Sequence, residues 1–71
     1  MMQTYALGID VGGTNTAFGL VNRRGEIIQK GTLPTTIWPT VQDFVDAISE
    51  QLKPIVDAAG HKNIAGIGIG A

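Results

Sequence analysis

Asp10, Gly12, Gly13, Thr14 and Asn15 place an acid, two glycines, a hydroxyl and an amide in one short stretch between two apolar runs. A hairpin needs only about two residues to reverse a chain, so this stretch holds more hydrogen-bonding chemistry than a turn requires. Adjacent glycines leave successive backbone N–H groups uncovered, with positive φ accessible, and such a run of amides forms a concavity for anions. Thr14, Asn15 and Thr16 add side-chain donors that can reach phosphate oxygens. Asp10, at the end of an apolar strand, is costly unless it faces a cavity and meets a cation or donors. Beside a phosphate it also repels, unless a divalent ion stands between them, usually through water in the case of magnesium. Acid, double glycine and hydroxyl in that order point to a magnesium–nucleotide site. The same residues also suit a wide hairpin loop, and residue chemistry alone admits both readings.

Two other phosphate motifs fare less well. No G-x-x-x-x-G-K-[ST] occurs, which excludes a P-loop. Residues 66–71 do satisfy G-x-G-x-x-A, but a dinucleotide fold needs a complete strand before those glycines and a helix after them. Isoleucines alternating with glycines read as the strand itself. Trp38 could stack on a pyranose ring, yet a loop tryptophan more often covers a core. His61 reads as a solvated connector, and Arg23 and Arg24 as a solvated hairpin tip.

The elements that hold the loop follow from periodicity. Residues 3–9 form an apolar run expected to be a strand buried on both faces. Residues 16–22 form a second run, and residues 22–25 are a tight turn in which Gly25 takes positive φ. Residues 26–33 make a third, more polar strand that suits an edge and closes before Pro34. Thr40 and Asp43 have capping-box spacing. From there Val41, Phe44, Val45, Ile48, Leu52, Ile55, Val56 and Ala59 fall on one helical stripe, with Gly60 as the C-terminal cap. Pro54 removes a helical hydrogen bond and clashes, at about 3 kcal/mol, but the stripe continues in phase, so a kink rather than a stop is expected. Residues 64–70 form the fourth strand. The order is βββαβ, an α/β fold with a mixed sheet of order 3-2-1-4, the fourth strand parallel to a central first strand.

Bulk properties narrow the classes. The chain has 71 residues, one small domain at most, and a chain of that length buries only about 60% of its unfolded surface. Without cysteine it has no disulfide or thiolate metal site. Five basic against six acidic residues give a net charge of −1, so no nucleic-acid or membrane partner is expected. No apolar run approaches the roughly 18 residues of a membrane span, and the start lacks a signal-peptide pattern. A cytoplasmic location is the expectation. The apolar, glycine-rich run at residues 63–71 has no cap or polar tail, so residues 1–71 read as the opening part of a longer protein. Its last strand, with unpaired edge amides, is expected to make the isolated chain associate.

The stretch at residues 8–21, the run at residues 25–35 and the glycine-rich run at residues 64–71 together closely resemble the start of the ROK sugar kinases. That group comprises bacterial glucokinases, fructokinases, amino-sugar kinases and related repressors of the actin-like, ribonuclease H-like ATPase superfamily. The resemblance covers residues 4–71. It implies the first half of one lobe of an ATP-dependent hexose kinase, a glucokinase in the first instance, with an amino-sugar kinase, a fructokinase or a sugar-responsive repressor as alternatives. It places Gly12, Gly13, Thr14 and Asn15 around the ATP phosphates and Asp10 near Mg²⁺, through water. It also implies hexose and ATP as partners, a homo-oligomeric parent, and a catalytic base and zinc ligands that all lie beyond residue 71. No catalytic residue is expected within residues 1–71, and this chain alone is expected to be inactive.

Overall fold

The computed structural model describes residues 4–71. Strands β1 (Tyr5–Val11), β2 (Asn15–Asn22) and β3 (Ile27–Pro34) are followed by helix α1 (Val41–Ala59), a short 3-10 turn (His61–Asn63) and strand β4 (Ile64–Gly70). They form one mixed sheet of order β3-β2-β1-β4. β1 runs antiparallel to β2, β2 antiparallel to β3, and β4 parallel to β1. The βββαβ order and the 3-2-1-4 sheet match the pattern read from periodicity. Of the first run, Gln3 lies outside the described residues; the strand extends to Val11, so Asp10 sits within β1.

Local chemistry explains the turns. At the β2–β3 hairpin, the Asn22 side-chain oxygen accepts from the Arg24 and Glu26 backbone N–H groups at 2.9 and 3.0 Å. Gly25 adopts φ 83°, the left-handed conformation that glycine takes without a Cβ penalty. α1 opens with Thr40 Oγ1 accepting from the Asp43 N–H at 3.1 Å and donating to Asp43 Oδ2 at 3.0 Å. That reciprocal pair satisfies an otherwise orphaned helix donor. The helix runs through Pro54 to Ala59 and ends where the Gly60 N–H donates to the Val56 carbonyl at 2.8 Å.

Register sorts the side chains onto two unlike faces. Leu7 lies opposite Leu20, and Ile9 opposite Phe18. Phe18, Leu33 and Ile48 form the buried core, with Ile9, Trp38, Phe44, Ala47, Leu52 and Ile55 packed against it. α1 lies toward β3, which leaves Ile67 and Ile69 of β4 at 61% and 70% exposure on the same face. Val41 and Val45, placed on the apolar stripe by spacing, are also exposed, because none of the described residues packs on the helix flank that carries them. The other face of the sheet is bare. Ala6, Gly8, Asp10, Ala17, Gly66, Gly68 and Gly70 are all exposed, so β1 is buried on one face rather than two. No helix among the described residues is long and apolar enough to cross a membrane.

Gly31 lies directly over the Phe18 ring. A Cβ there would stand 2.6 Å from Cζ and 2.9 Å from Cε1 of Phe18. Because that ring is fixed in the core, Gly31→Ala is expected to destabilise the intact protein by about 1–3 kcal/mol, measured as a lowered urea midpoint. An unchanged midpoint would show that the ring gives way freely.

Candidate functional site

The β1–β2 hairpin is tighter than its composition implies. The last paired residues are Val11 and Thr16, and inside them the Gly12 N–H donates to the Asn15 carbonyl at 3.0 Å. Only residues 12–14 lie outside the strands. Neither Gly12 nor Gly13 has positive φ, which among the described residues belongs to Gly25 and Gly60. The two loop glycines serve space instead. A Cβ on Gly12 would stand 2.6 Å from the Asn15 carbonyl oxygen, whereas one on Gly13 would meet nothing within 4 Å. Gly12 therefore permits the hairpin to close, and Gly13 faces open space.

The donor inventory changes accordingly. The Gly12 N–H is committed within the hairpin. Among the described residues the N–H groups of Gly13 and Thr14 meet no acceptor, and the exposed Thr14 and Asn15 side chains have no partner. These four groups are the free donors at the tip. Thr16 is not among them. Its side chain points to the core face, it is fully buried at 0% exposure, and its Oγ1 lies 2.7 Å from Oγ1 of Thr35.

Asp10 is exposed on the bare face, between Ala17 of β2 and Gly70 of β4. Its Oδ1 leans to within 3.8 Å of where a Cβ on Gly70 would be. A shallow depression of about 560 Å³ opens on this face, lined among others by Gly8, Asp10, Ala17, Gly19, Lys30 and Thr32. No cluster of three or more His, Cys, Asp or Glu exists among the described residues. The donor set therefore fits magnesium, which takes one or two carboxylates and fills its remaining positions with water and phosphate oxygens. It does not make a zinc site, whose ligands are three or four protein side chains.

The remaining candidates resolve as structural. Trp38 is half-buried against the core, and its Nε1–H donates to the Pro34 carbonyl at 2.7 Å. His61 is exposed, its Nε2 3.2 Å from Asp57 Oδ1. Residues 66–71, which satisfy a dinucleotide pattern, are the body of β4 and the residue after it. Sequence reasoning missed Thr35. Its N–H donates to the Thr14 carbonyl at 2.9 Å and its hydroxyl meets Thr16. The sequence signals only that Thr16, in phase with Phe18 and Leu20, puts a hydroxyl on an apolar face where it needs a partner; it does not name Thr35.

The profile of the ROK family matches residues 6–71. The chain belongs to the ROK family. It is 37% identical over 65 residues to a glucokinase of Streptomyces coelicolor, covering 92% of this chain and 19% of that protein. It is 38% identical over 63 residues to an N-acetylmannosamine kinase of Escherichia coli O1:K1 / APEC, covering 89% and 22%. The crystal structure of a ROK family glucokinase from Streptomyces griseus, in complex with glucose and AMPPNP, superposes with a TM-score of 0.73 at 31% identity, covering 94% of this chain and 20% of that one. The fold is that of the actin-like ATPases. The chain spans about a fifth of the length of the curated relatives it matches.

The two loop glycines make different demands. Gly12→Ala is expected to lower the thermal midpoint of the intact protein by several degrees, since the hairpin must open for the new Cβ. Gly13→Ala is expected to leave stability within about 0.5 kcal/mol. Calorimetric melts of the two variants check this, and equal effects would contradict it.

Proposed function

We propose that the chain is the N-terminal part of the first lobe of an ATP-dependent sugar kinase, with residues 12–15 as its first phosphate-binding loop. The observation that carries this reading is the hairpin tip. In a chain of the ROK family, the partnerless Gly13 and Thr14 amides follow an exposed carboxylate, Asp10, that lies on the central strand leading into the same hairpin. Backbone amides aimed at one point bind phosphate oxygens without side-chain ordering cost. The Thr14 hydroxyl and the Asn15 amide extend that donor set. Asp10 is the residue that would hold magnesium, through water, and the ion would supply neutralisation of phosphate charge there. The open space around Gly13 admits the nucleotide. No residue of this chain is assigned as the base that deprotonates the sugar, so the isolated chain is proposed to be inactive.

Glucose is the proposed sugar of the intact protein, since a glucokinase matches 92% of the chain. An amino sugar is the second reading, favoured by the similar match to an N-acetylmannosamine kinase. The proposal extends to a cytoplasmic, homo-oligomeric parent with any zinc site outside residues 1–71. The isolated 71-residue chain is proposed to associate through β4, whose Ile67 and Ile69 are exposed beside an unpaired edge. Light scattering at high concentration tests that, and a well-folded monomer would count against it.

The test of function is ATP-dependent phosphorylation of a hexose panel by the intact protein. Wild type is expected to turn over one or more hexoses. Asp10→Ala is expected to lower turnover by about two orders of magnitude or more, with the thermal midpoint nearly unchanged because Asp10 is exposed. Its loss should be partly relieved at raised Mg²⁺ concentration. Equal activity of Asp10→Ala and wild type would reduce the loop to an ordinary turn.

A further inference from the structure

We propose that Thr35 is a positioning residue of the loop at residues 12–15, a role that rests on reading that loop as the phosphate site. Thr35 is far from the hairpin in sequence and does not belong to it, yet it makes two bonds to it. Its N–H donates to the Thr14 carbonyl at 2.9 Å, and its Oγ1 lies 2.7 Å from Thr16 Oγ1. The hairpin's own closure, from Gly12 to Asn15, is a single backbone bond across a glycine pair. Glycines carry more conformational freedom than any other residue, so that one bond fixes the tip poorly. The brace from Thr35 supplies the restraint that the tip lacks.

The brace is built to be obligatory. Thr16 is fully buried, and a buried hydroxyl without a partner bears its full desolvation cost. Pro34, the last residue of β3, has no N–H, so the first backbone donor after Leu33 is that of Thr35. The Pro34 carbonyl is in turn held by Trp38 Nε1–H at 2.7 Å, and Trp38 packs on the Phe18, Leu33 and Ile48 core. A continuous line of contacts thus runs from the core through Trp38 and Pro34 to Thr35, and from there to the loop. The brace also sets direction. In a trans peptide the C=O and N–H point oppositely, so turning the Thr14 carbonyl toward Thr35 turns the Asn15 N–H away from it.

The test is a calorimetric titration of the intact protein with MgATP, alongside thermal melts. Thr35→Val keeps the backbone donor and removes the hydroxyl; it is expected to weaken MgATP binding about tenfold, while Thr35→Ser restores it to within about twofold. The double variant Thr16→Val/Thr35→Val replaces both hydroxyls by methyl groups, which can be nearly neutral for stability. Its melting midpoint is expected to recover toward wild type while MgATP binding stays weak. Recovery of both together, or wild-type affinity in Thr35→Val, would overturn the positioning role. Gly13→Val separates the two levels of the inference. If it weakens MgATP binding while Thr35→Val does not, only the positioning role fails. If neither variant changes the affinity, the phosphate-loop reading fails and takes the positioning role with it.

Discussion

Everything in this chain hangs on the double pairing of β1. Tyr5–Val11 is bonded to β2 on one side and β4 on the other, so it joins the antiparallel meander to the parallel strand and carries Asp10 toward the loop. The antiparallel pair with β2 fixes where the hairpin turns. The parallel pair with β4 requires the crossover that α1 supplies. Asp10 is a consequence of both, because its backbone is tied between Ala17 and Gly70 while its carboxylate stays exposed. A charge on a loop would wander; a charge on a central strand is held.

The core that stabilises this arrangement is small and one-sided. The buried apolar residues are Leu7, Phe18, Leu20, Leu33 and Ile48, clustered toward β2, β3 and the helix. Small domains bury too little surface to be strongly stable alone, and here β4 contributes least, its two central isoleucines remaining exposed. The bare reverse face follows from residue size rather than from charge. Gly8, Ala17, Gly66, Gly68 and Gly70 give another layer, or a ligand, direct approach to the backbone.

Strand and helix limits and caps were legible because each rests on local chemistry that leaves a mark in sequence, while strand order followed from a polar third strand that suits an edge and a helix that allows a parallel crossover. The Thr40–Asp43 pair, the Gly25 turn and the Gly60 cap are short-range devices, and the Ile–Gly alternation of β4 has the period of a strand. Two kinds of information were not legible. Burial of both faces of β1, and of Val41 and Val45, was inferred from apolarity, but apolarity states what a residue tolerates and not whether anything covers it. The Thr16–Thr35 bond joins residues 19 apart, and a long-range polar contact has no periodicity to announce it. Thr16 was placed with the loop by adjacency, whereas strand alternation places it on the opposite side from Asp10.

The glycine pair shows why composition and geometry can agree on a site and differ on its physics. Two adjacent glycines invite the inference of left-handed backbone, yet neither adopts it. Gly12 is required because its Cα comes so close to the Asn15 carbonyl that a side chain has no room. That is a demand of the hairpin and would exist with no ligand at all. Gly13 faces no atom of the chain, so nothing in the described fold requires its side chain to be absent. The two glycines thus differ in what the fold asks of them: the first makes the turn possible, and the second leaves open space at its tip.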